Sequence, residues 1–326
     1  MGIAVALGGA CDIDNAVDRR STTEVFLQEP NSLVDILFVV DSSPSMADEQ
    51  QLLANGFDSF VGTLEESNAD FHLGVMDMNM DLDNSKKGLL IGNPAYLTVD
   101  DDYAQQFKSR VKVGVDGSDK EKGISAGLAA VTEPLASGHN AGFVREDANL
   151  VFVFVSDEDD CSDGDVLDAE GGTACYDQRG KLLTIKHLIQ AYQRLKTGEA
   201  RVMASAIIGP EVTQQQNCEQ EAWPGHRYKG MVKALGGVIG DICEQDYSRL
   251  MEDLGLSVAG ELTVFNLKYA AVPATIEVQV DGEIVEEDPV DGWTYEPEFK
   301  QIRFEGDYVP PRGSSLAIHY EIAGPA

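Results

Sequence analysis

The sequence predicts an α/β fold, in which a doubly wound, mainly parallel sheet is followed by a small C-terminal antiparallel β domain. Between residues 33 and 258, buried strands alternate with amphipathic helices. A parallel sheet with right-handed crossovers requires this order. From Gly260 onward, apolar residues instead recur at every second position, which is typical of antiparallel strands. The change of period predicts a domain boundary, with the β-rich domain over residues 259–326.

The N-terminal residues are predicted to be an export signal and a linker. Residues 1–11 form a short apolar run, too short to span a bilayer, that ends Leu7-Gly-Gly-Ala-Cys11. The run is consistent with a remnant of a secretory signal, and Cys11 after Gly-Ala resembles a lipoprotein cleavage site. Residues 12–32 are polar and lack periodicity, so they are interpreted as a linker.

The first strand of the main domain ends on an oxygen-rich turn. Val34 and residues 36–40 form an apolar run, which predicts a strand buried on both faces. Asp41, Ser43 and Ser45 follow as Asp-x-Ser-x-Ser, at the strand end where open α/β sheets bind ligands. Because carboxylate and hydroxyl oxygens suit Mg²⁺, Ca²⁺ or Mn²⁺, the turn is a candidate metal site. A helix cap, the alternative, would need one such residue rather than three in register.

Hydrophobic periodicity predicts most of the other elements. Leu53, Phe57, Phe60 and Leu64 recur at helical spacing, which predicts a helix over 47–66. Asp281-Gly282 predicts a two-residue hairpin among four or five C-terminal strands. The remaining predictions are strands over 71–78, 110–115 (an edge strand), 149–156, 201–208 and 238–243, and helices over 124–131, 181–196, 228–235 and 246–254.

The apolar strand, the Asp-x-Ser-x-Ser motif and the amphipathic helix after it resemble a von Willebrand factor type A domain over residues 33–258. The resemblance implies a metal-ion-dependent adhesion site on top of a doubly wound sheet. In that family, a Thr or Ser from a second loop and an Asp from a third complete the coordination. The open position often accepts a carboxylate of a protein ligand, so the implied function is metal-dependent adhesion to a partner with an acidic group.

Two residues are candidates for the second-loop ligand. Residues 116–123 lead into the predicted helix, and Ser118 is the first candidate. The family usually places Thr closer to the helix start, where counting back from Leu128 gives Lys122, so Glu121 is the alternative oxygen donor. A lysine in the ligand position itself would argue against metal binding.

The third buried strand has the same sequence pattern as the first, an apolar run that ends on a carboxylate. Residues 149–156 are apolar and run into four acidic residues, of which the resemblance assigns Asp157 as the third-loop ligand. Glu158 and Asp160 are interpreted as a solvated loop, the usual explanation of a charge run, and Asp159 is left open. The string from Val155 to Ser162 is similar to bacterial cell-envelope members of the family. This implies an exported protein, either a lipoprotein of the outer membrane and cell surface or a periplasmic protein.

The cysteines also favour export. Besides Cys11 there are four cysteines, and proximity favours the disulfides Cys161–Cys175 and Cys218–Cys243. Disulfides form in oxidising compartments outside the cytoplasm.

The charge and the motifs narrow the functional classes. A formal net charge of −32 argues against nucleic acid and against an anionic membrane surface as direct partners. The expected membrane contact is therefore a lipid on Cys11. Gly123-Ile-Ser125-Ala-Gly127 matches the nucleophile elbow of serine hydrolases, but that elbow needs a strand running into the serine. The sequence therefore predicts a non-enzymatic binding module. A structural Ca²⁺-binding envelope protein is the main alternative, and a hydrolase that uses Ser125 is the lesser one.

Overall fold

A computed structural model describes most of the chain. It covers residues 20–27, 33–80, 86–167, 172–198, 200–210, 222–259, 264–297, 300–305, 308, 310–311 and 313–323. The predicted signal over 1–11, including Cys11, lies outside the described residues, as does Cys218.

The elements alternate along the first part of the chain and become strands in the last part. The strands are β1 (Ser21–Leu27), β2 (Leu33–Val40), β3 (Asp70–Asp77), β4 (Asn149–Ser156), β5 (Val202–Ile208), β6 (Ile239–Asp241), β7 (Val264–Asn266), β8 (Glu277–Val280), β9 (Glu283–Val285), β10 (Trp293–Glu296), β11 (Gln301–Phe304) and β12 (Ser315–Glu321). The α-helices are α1 (Ala47–Glu66), α2 (Tyr103–Arg110), α3 (Gly123–Ala130), α4 (Thr173–Asp177), α5 (Ile185–Gln193), α6 (His226–Leu235) and α7 (Ser248–Val258). A short 3-10 turn, Pro44–Met46, precedes α1.

Among the described residues, the main sheet has five parallel strands in the order β3-β2-β4-β5-β6. Ile36 and Phe38 of β2 share a hydrophobic cluster with residues of α1, α2 and α7. Leu37 and Val39 share a second cluster with residues of α3, α5 and α6. Because alternate residues of a strand point to opposite faces, helices cover both sides of the sheet. This arrangement confirms the predicted α/β class with a parallel sheet.

Aromatic side chains fix α1 and α2 against β2. Phe57 of α1 stacks on Phe107 of α2 with a centroid separation of 3.9 Å. Phe38 of β2 contacts Phe107 edge-on at 4.8 Å. Full burial of a phenylalanine contributes about 1.5–3 kcal/mol, so these contacts hold α1, and the turn before it, in a defined place above β2.

The predicted antiparallel β domain is present as two sheets. One has the strand order β1-β12-β8-β9 and the other β10-β11-β7. Strands β8 and β9 form the hairpin predicted from Asp281-Gly282, whose φ angles of 51° and 86° are the positive values that such a turn requires.

The linker interpretation is wrong for residues 21–27. They form β1, which pairs antiparallel with β12, so that Ser21 lies opposite Glu321 and Leu27 opposite Ser315. Phe26 meets Phe265 with centroids 5.4 Å apart. The exposed positions of β1 include the apolar Val25 and Leu27, so polarity does not alternate along the segment. Its partner strand β12 is also distant in sequence, so no local pattern could indicate the pairing.

The edge strand predicted over 110–115 is also wrong. Arg110 is the last residue of α2, residues 111–115 have no regular structure, and the edge strands of the described sheet are β3 and β6. Helix α2 is largely polar, with only Phe107 and Arg110 buried, so its apolar periodicity is too weak to indicate a helix.

The β domain packs against the main domain. The buried Gln301 of β11 donates its side-chain N–H to the carbonyl of Ala234 near the end of α6, at 3.1 Å. Side chains of both domains contribute to the same hydrophobic cluster. Within the described ranges, no helix has the length and apolar character needed to cross a membrane.

Candidate functional site

The turn after β2 holds the Asp41 carboxylate rigidly at the carboxyl end of the sheet. The Asp41 backbone N–H donates to the carbonyl of Val155 on β4 at 2.9 Å. Its Oδ1 accepts the backbone N–H of Ser43 at 2.7 Å, and its Oδ2 accepts the Ser156 hydroxyl at 2.8 Å. Asp41 is only 1% exposed, so the side chain is both buried and fixed by two loops.

The two serines of the motif lie side by side. Ser43 Oγ and Ser45 Oγ are 3.1 Å apart. Neither Ser43 nor Met46, the residues that precede the 3-10 turn and α1, makes a side-chain capping hydrogen bond. The helix-cap alternative therefore does not account for the motif, while Ser45 is exposed at the rim.

Asp157 follows β4 and faces the same turn. Its Oδ1 is buried, with no hydrogen-bond partner. Burial raises the pKa of Asp157, the neighbouring Ser45 hydroxyl lowers it, and the charge of Glu158 raises it again. An unpaired buried carboxylate oxygen is costly, so a positive group is expected opposite it.

In the second loop, the Glu121 carboxyl is buried and lies within electrostatic reach of Asp41. Glu121 is 1% exposed, and its Oε1 is buried without a hydrogen-bond partner. Burial raises the pKa of Glu121 well above its usual range, and the charge of Asp41 and the carboxyl of Glu158 raise it further. Ser118 Oγ instead accepts the backbone N–H of Lys120 at 3.2 Å in a local turn.

Lys122, which in the ligand position would argue against metal binding, instead forms ion pairs with two acidic residues. Its ammonium lies 2.7 Å from Asp163 Oδ1 and 3.2 Å from Asp165 Oδ1. Glu121 and Lys122 are adjacent in sequence, and their charged groups have different partners. The loop thus contributes a carboxylate near Asp41 while its lysine is neutralised by two other acids.

Two residues that the sequence analysis missed join the first and second loops. Gln50 of α1 donates its amide to the carbonyls of Asp41 and Gly114, both at 2.8 Å. Gly117 donates its backbone N–H to the Ser42 carbonyl at 2.8 Å. A Cβ at Gly117 would lie 2.0 Å from Ser42 Oγ, so the approach requires glycine. The available signal for Gln50 was its position on the apolar face of α1.

The solvated-loop interpretation of Asp160 is wrong. Asp160 is 1% exposed, and its Oδ1 accepts the backbone N–H of Ile124 in the first turn of α3 at 3.0 Å. Arg227 Nε donates to Asp160 Oδ2 at 3.0 Å, and the Arg227 backbone N–H donates to Asp159 Oδ1 at 2.8 Å. These two acids therefore satisfy the first turns of α3 and α6, where carboxylates are favourable. Glu158 is half-buried.

The predicted Cys161–Cys175 disulfide is present, with a Cα separation of 5.4 Å. The Cys161 backbone N–H donates to the Glu121 carbonyl at 2.6 Å, so the disulfide joins α4 to the loop that carries Glu121. The second predicted pair, Cys218–Cys243, includes a residue outside the described ranges and stays a prediction.

The residue set suits a hard cation only when the hydroxyls are counted with the acids. Within the described part of the chain, no group of three or more His, Cys, Asp or Glu side chains is placed to hold a metal ion on its own. Burial, and then the charge of Asp157, raises the pKa of Asp41. The charge of Asp157 thus acts on Asp41, and the charge of Asp41 acts on Glu121, in a buried site that offers only oxygen atoms, as Mg²⁺ and Ca²⁺ prefer.

Ser125 lacks the setting of a nucleophile elbow. All residues from Gly123 to Gly127 belong to α3, and no strand leads into the serine. The Ser125 backbone N–H donates to Ser162 Oγ at 2.9 Å. The match to the hydrolase motif is a helical segment.

Neither a protein-family model nor a curated protein sequence matches the chain. Among solved structures, it is similar to the pilus adhesin SpaC from Lactobacillus rhamnosus GG in its open conformation, with a TM-score of 0.41 and 12% identity, over 90% of this chain and 39% of that one. For proximal thread matrix protein 1 from the mussel byssus the TM-score is 0.39 with 14% identity, over 74% of this chain and 51% of that one. For the pilus adhesin RrgA from Streptococcus pneumoniae it is 0.33 with 8% identity, over 93% and 58%. The chain spans between 39% and 58% of the length of these proteins, and at such TM-scores the similarities establish neither a shared family nor a shared function.

Proposed function

We propose that this chain is a metal-dependent adhesion domain of the von Willebrand factor A type. It binds a divalent cation, Mg²⁺, Ca²⁺ or Mn²⁺, at the carboxyl end of its parallel sheet, and through it an acidic group of a protein partner. The observation that carries the proposal is the pair of buried carboxylate oxygens without partners, Glu121 Oε1 and Asp157 Oδ1, beside the fixed carboxylate of Asp41. Ionising these buried carboxyls without a partner costs several kcal/mol each, and a bound dication would offset that cost.

In this proposal, three loops contribute the ligands of the cation. Asp41, Ser43 and Ser45 come from the turn after β2, Glu121 from the loop before α3, and Asp157 from the turn after β4. Ser118 is the weaker second-loop candidate because its hydroxyl is engaged in a local turn. The exposed hydroxyl of Ser45 marks the side of the site that faces solvent, and a partner carboxylate would approach there.

The proposed setting is the bacterial cell envelope, as an outer-membrane or cell-surface lipoprotein or a periplasmic protein. The Cys161–Cys175 disulfide supports export, because structural disulfides persist in oxidising compartments. A cation held for rigidity alone would give a structural Ca²⁺-binding envelope protein instead. The two functions differ in whether loss of the cation abolishes partner binding or only lowers stability.

Calorimetric titration of metal-free protein with Mg²⁺, Ca²⁺ and Mn²⁺ tests the proposal. Wild-type protein is expected to bind at least one cation, and Ser43→Ala and Glu121→Gln are expected to weaken binding by about tenfold or more, the effect of about 1.4 kcal/mol. Ser118→Ala is the matched control and is expected to leave the affinity unchanged. Equal binding heats for wild type and both site variants would refute the proposed pocket, provided that each variant shows a cooperative melting transition in EDTA.

A further inference from the structure

A cavity of about 460 Å³ carries basic side chains on its wall. It lies between α2, residues 86–93 and the end of β3. Of the charged residues that the structure describes on this wall, Lys86, Arg110 and Lys112 are basic and Asp77 is acidic. The cavity thus carries net positive charge in a chain whose formal net charge is −32. Its volume is in the range of small-ligand sites.

Arg110 is the most buried of the basic side chains on this wall. It is 8% exposed, and its Nη2 donates to Gln106 Oε1 at 2.8 Å. A Cβ at Gly92 would lie 2.4 Å from Arg110 Cζ, so the glycine lets the guanidinium lie against the backbone. Burial lowers the pKa of Arg110 and the charge of Asp101 raises it, but a guanidinium stays charged in proteins. Within the described ranges, Arg110 forms no ion pair with a carboxylate.

Hydrogen bonds connect the segments that line the cavity to those that carry the candidate cation ligands. Asp77 on the cavity wall accepts the Ser42 hydroxyl at 2.6 Å, and Ser42 lies between two of the proposed ligands. Lys112 on the wall is two residues before Gly114, whose carbonyl accepts the Gln50 amide that also donates to Asp41. A ligand held at the cation site would therefore have the cavity next to it.

We propose that this cavity binds a second carboxylate of the same protein partner whose first carboxylate is held at the cation site. The inference rests on the proposed function and specifies the partner, an acidic segment with two Asp or Glu side chains a few residues apart. Arg110 offers fixed planar donors that match a carboxylate, and the exposed Lys112 adds a mobile charge at the mouth. Since exposed charges beyond about 10 Å are largely screened in physiological salt, this local positive wall outweighs the acidic remainder of the surface.

Synthetic peptides provide the test. Fluorescent peptides with two Asp residues separated by Gly spacers of increasing length are compared with matched peptides in which one Asp is Asn, on the full chain in the presence of Mg²⁺, by fluorescence anisotropy. At one spacing, the two-Asp peptide is expected to bind about 5-fold more tightly, the value of a modest ion pair. Lys112→Glu is expected to remove this gain and to leave both the one-Asp peptide and the calorimetric Mg²⁺ affinity unchanged.

Lys186→Glu on α5, which packs on the other face of the sheet, makes the same change of charge and is expected to preserve the gain. Arg110→Lys keeps the charge but removes the planar donors, and is expected to reduce the gain. Equal affinities of one-Asp and two-Asp peptides at every spacing, or equal effects of Lys112→Glu and Lys186→Glu, would overturn the proposal. If calorimetry detects no cation binding, the proposed function fails on its own. In that case, binding of the two-Asp peptide is measured in EDTA. The cavity proposal then requires that Lys112→Glu still weakens this binding.

Discussion

The Lys122 ammonium lies 2.7 Å from Asp163 Oδ1, and this ion pair fixes the position of the lysine in the loop before α3. Lys122 is 6% exposed and Asp163 is 2% exposed, so water reaches neither charge well and each is stabilised by the other. Asp163 is in turn held by the backbone N–H groups of Asp165 and Leu167. The lysine is therefore neutralised by Asp163, while the neighbouring Glu121 carboxyl is buried with an oxygen that lacks a hydrogen-bond partner.

Lys122→Met is expected to lower the free energy of unfolding by about 3 kcal/mol, because it leaves the Asp163 carboxylate buried without its cation. Urea unfolding measures the change, with Lys120→Met, at a half-buried neighbouring lysine, as the control. The Mg²⁺ affinity of the variant is expected to fall or stay constant. A rise in affinity would show that the ammonium competes with the cation, contrary to the structure.

Metal-free protein is expected to lose stability as the pH rises. The folded-state pKa values of Asp41, Glu121 and Asp157 are raised above their ordinary values, chiefly by burial, so the folded state holds their protons more tightly than the unfolded chain does. Their stabilising contribution is complete below the unfolded pKa of about 4 and is lost as the pH rises through the folded values. In EDTA, the melting temperature should fall between about pH 5 and about pH 8, and fall less in Glu121→Gln.

Saturating Mg²⁺ or Ca²⁺ is expected to cancel most of this pH-dependent loss in wild type, since a bound dication favours the ionised carboxylates. Differential scanning calorimetry at each pH, with and without metal, makes the comparison. Identical pH profiles of wild type and Glu121→Gln in EDTA would contradict the coupling between these carboxyls.

Reduction of the Cys161–Cys175 disulfide is expected to affect both stability and the site. The residues are separated by 14 positions, and closing a loop of that size stabilises a protein by about 3 kcal/mol in the chain-entropy model. Because the Cys161 backbone N–H also holds the Glu121 carbonyl, reduction should weaken Mg²⁺ binding as well. The Cys161→Ser, Cys175→Ser double variant, followed by thermal melting and calorimetry, separates the two effects. An unchanged Mg²⁺ affinity would show that the Glu121 loop does not depend on the disulfide.

Gly117→Ala is expected to weaken cation binding by about tenfold, the effect of about 1.4 kcal/mol. Its added Cβ would meet Ser42 Oγ at 2.0 Å and the Ser42 carbonyl oxygen at 2.8 Å, and would force the first and second loops apart. Gly62→Ala is the matched control, because a Cβ at that helical position meets nothing within 4 Å. It should stabilise the protein slightly, by about 0.5–1 kcal/mol. If the two variants bind Mg²⁺ equally, the close approach of the loops is not needed for the site.

Local pattern in the sequence was enough for the parallel sheet and for part of the site. The strand before Asp41 is apolar on both faces and the strand before Asp157 repeats it, and both properties are visible without any tertiary contact. The Asp281-Gly282 hairpin is likewise a local property of two residues that tolerate positive φ. The pairing of Cys161 with Cys175 also follows from short separation along the chain.

The tertiary structure decided what depends on partners far away in the chain. Residues 21–27 become a strand only because β12 lies beside them, and Asp160 is buried only because the first turn of α3 and Arg227 meet it. The proposed preference for Glu121 over Ser118 likewise depends on folding, because the partners of Ser118 and Lys122 are visible only in the structure. A side chain's direction is set by the groups that satisfy its charge, and those groups come from loops that only folding brings together.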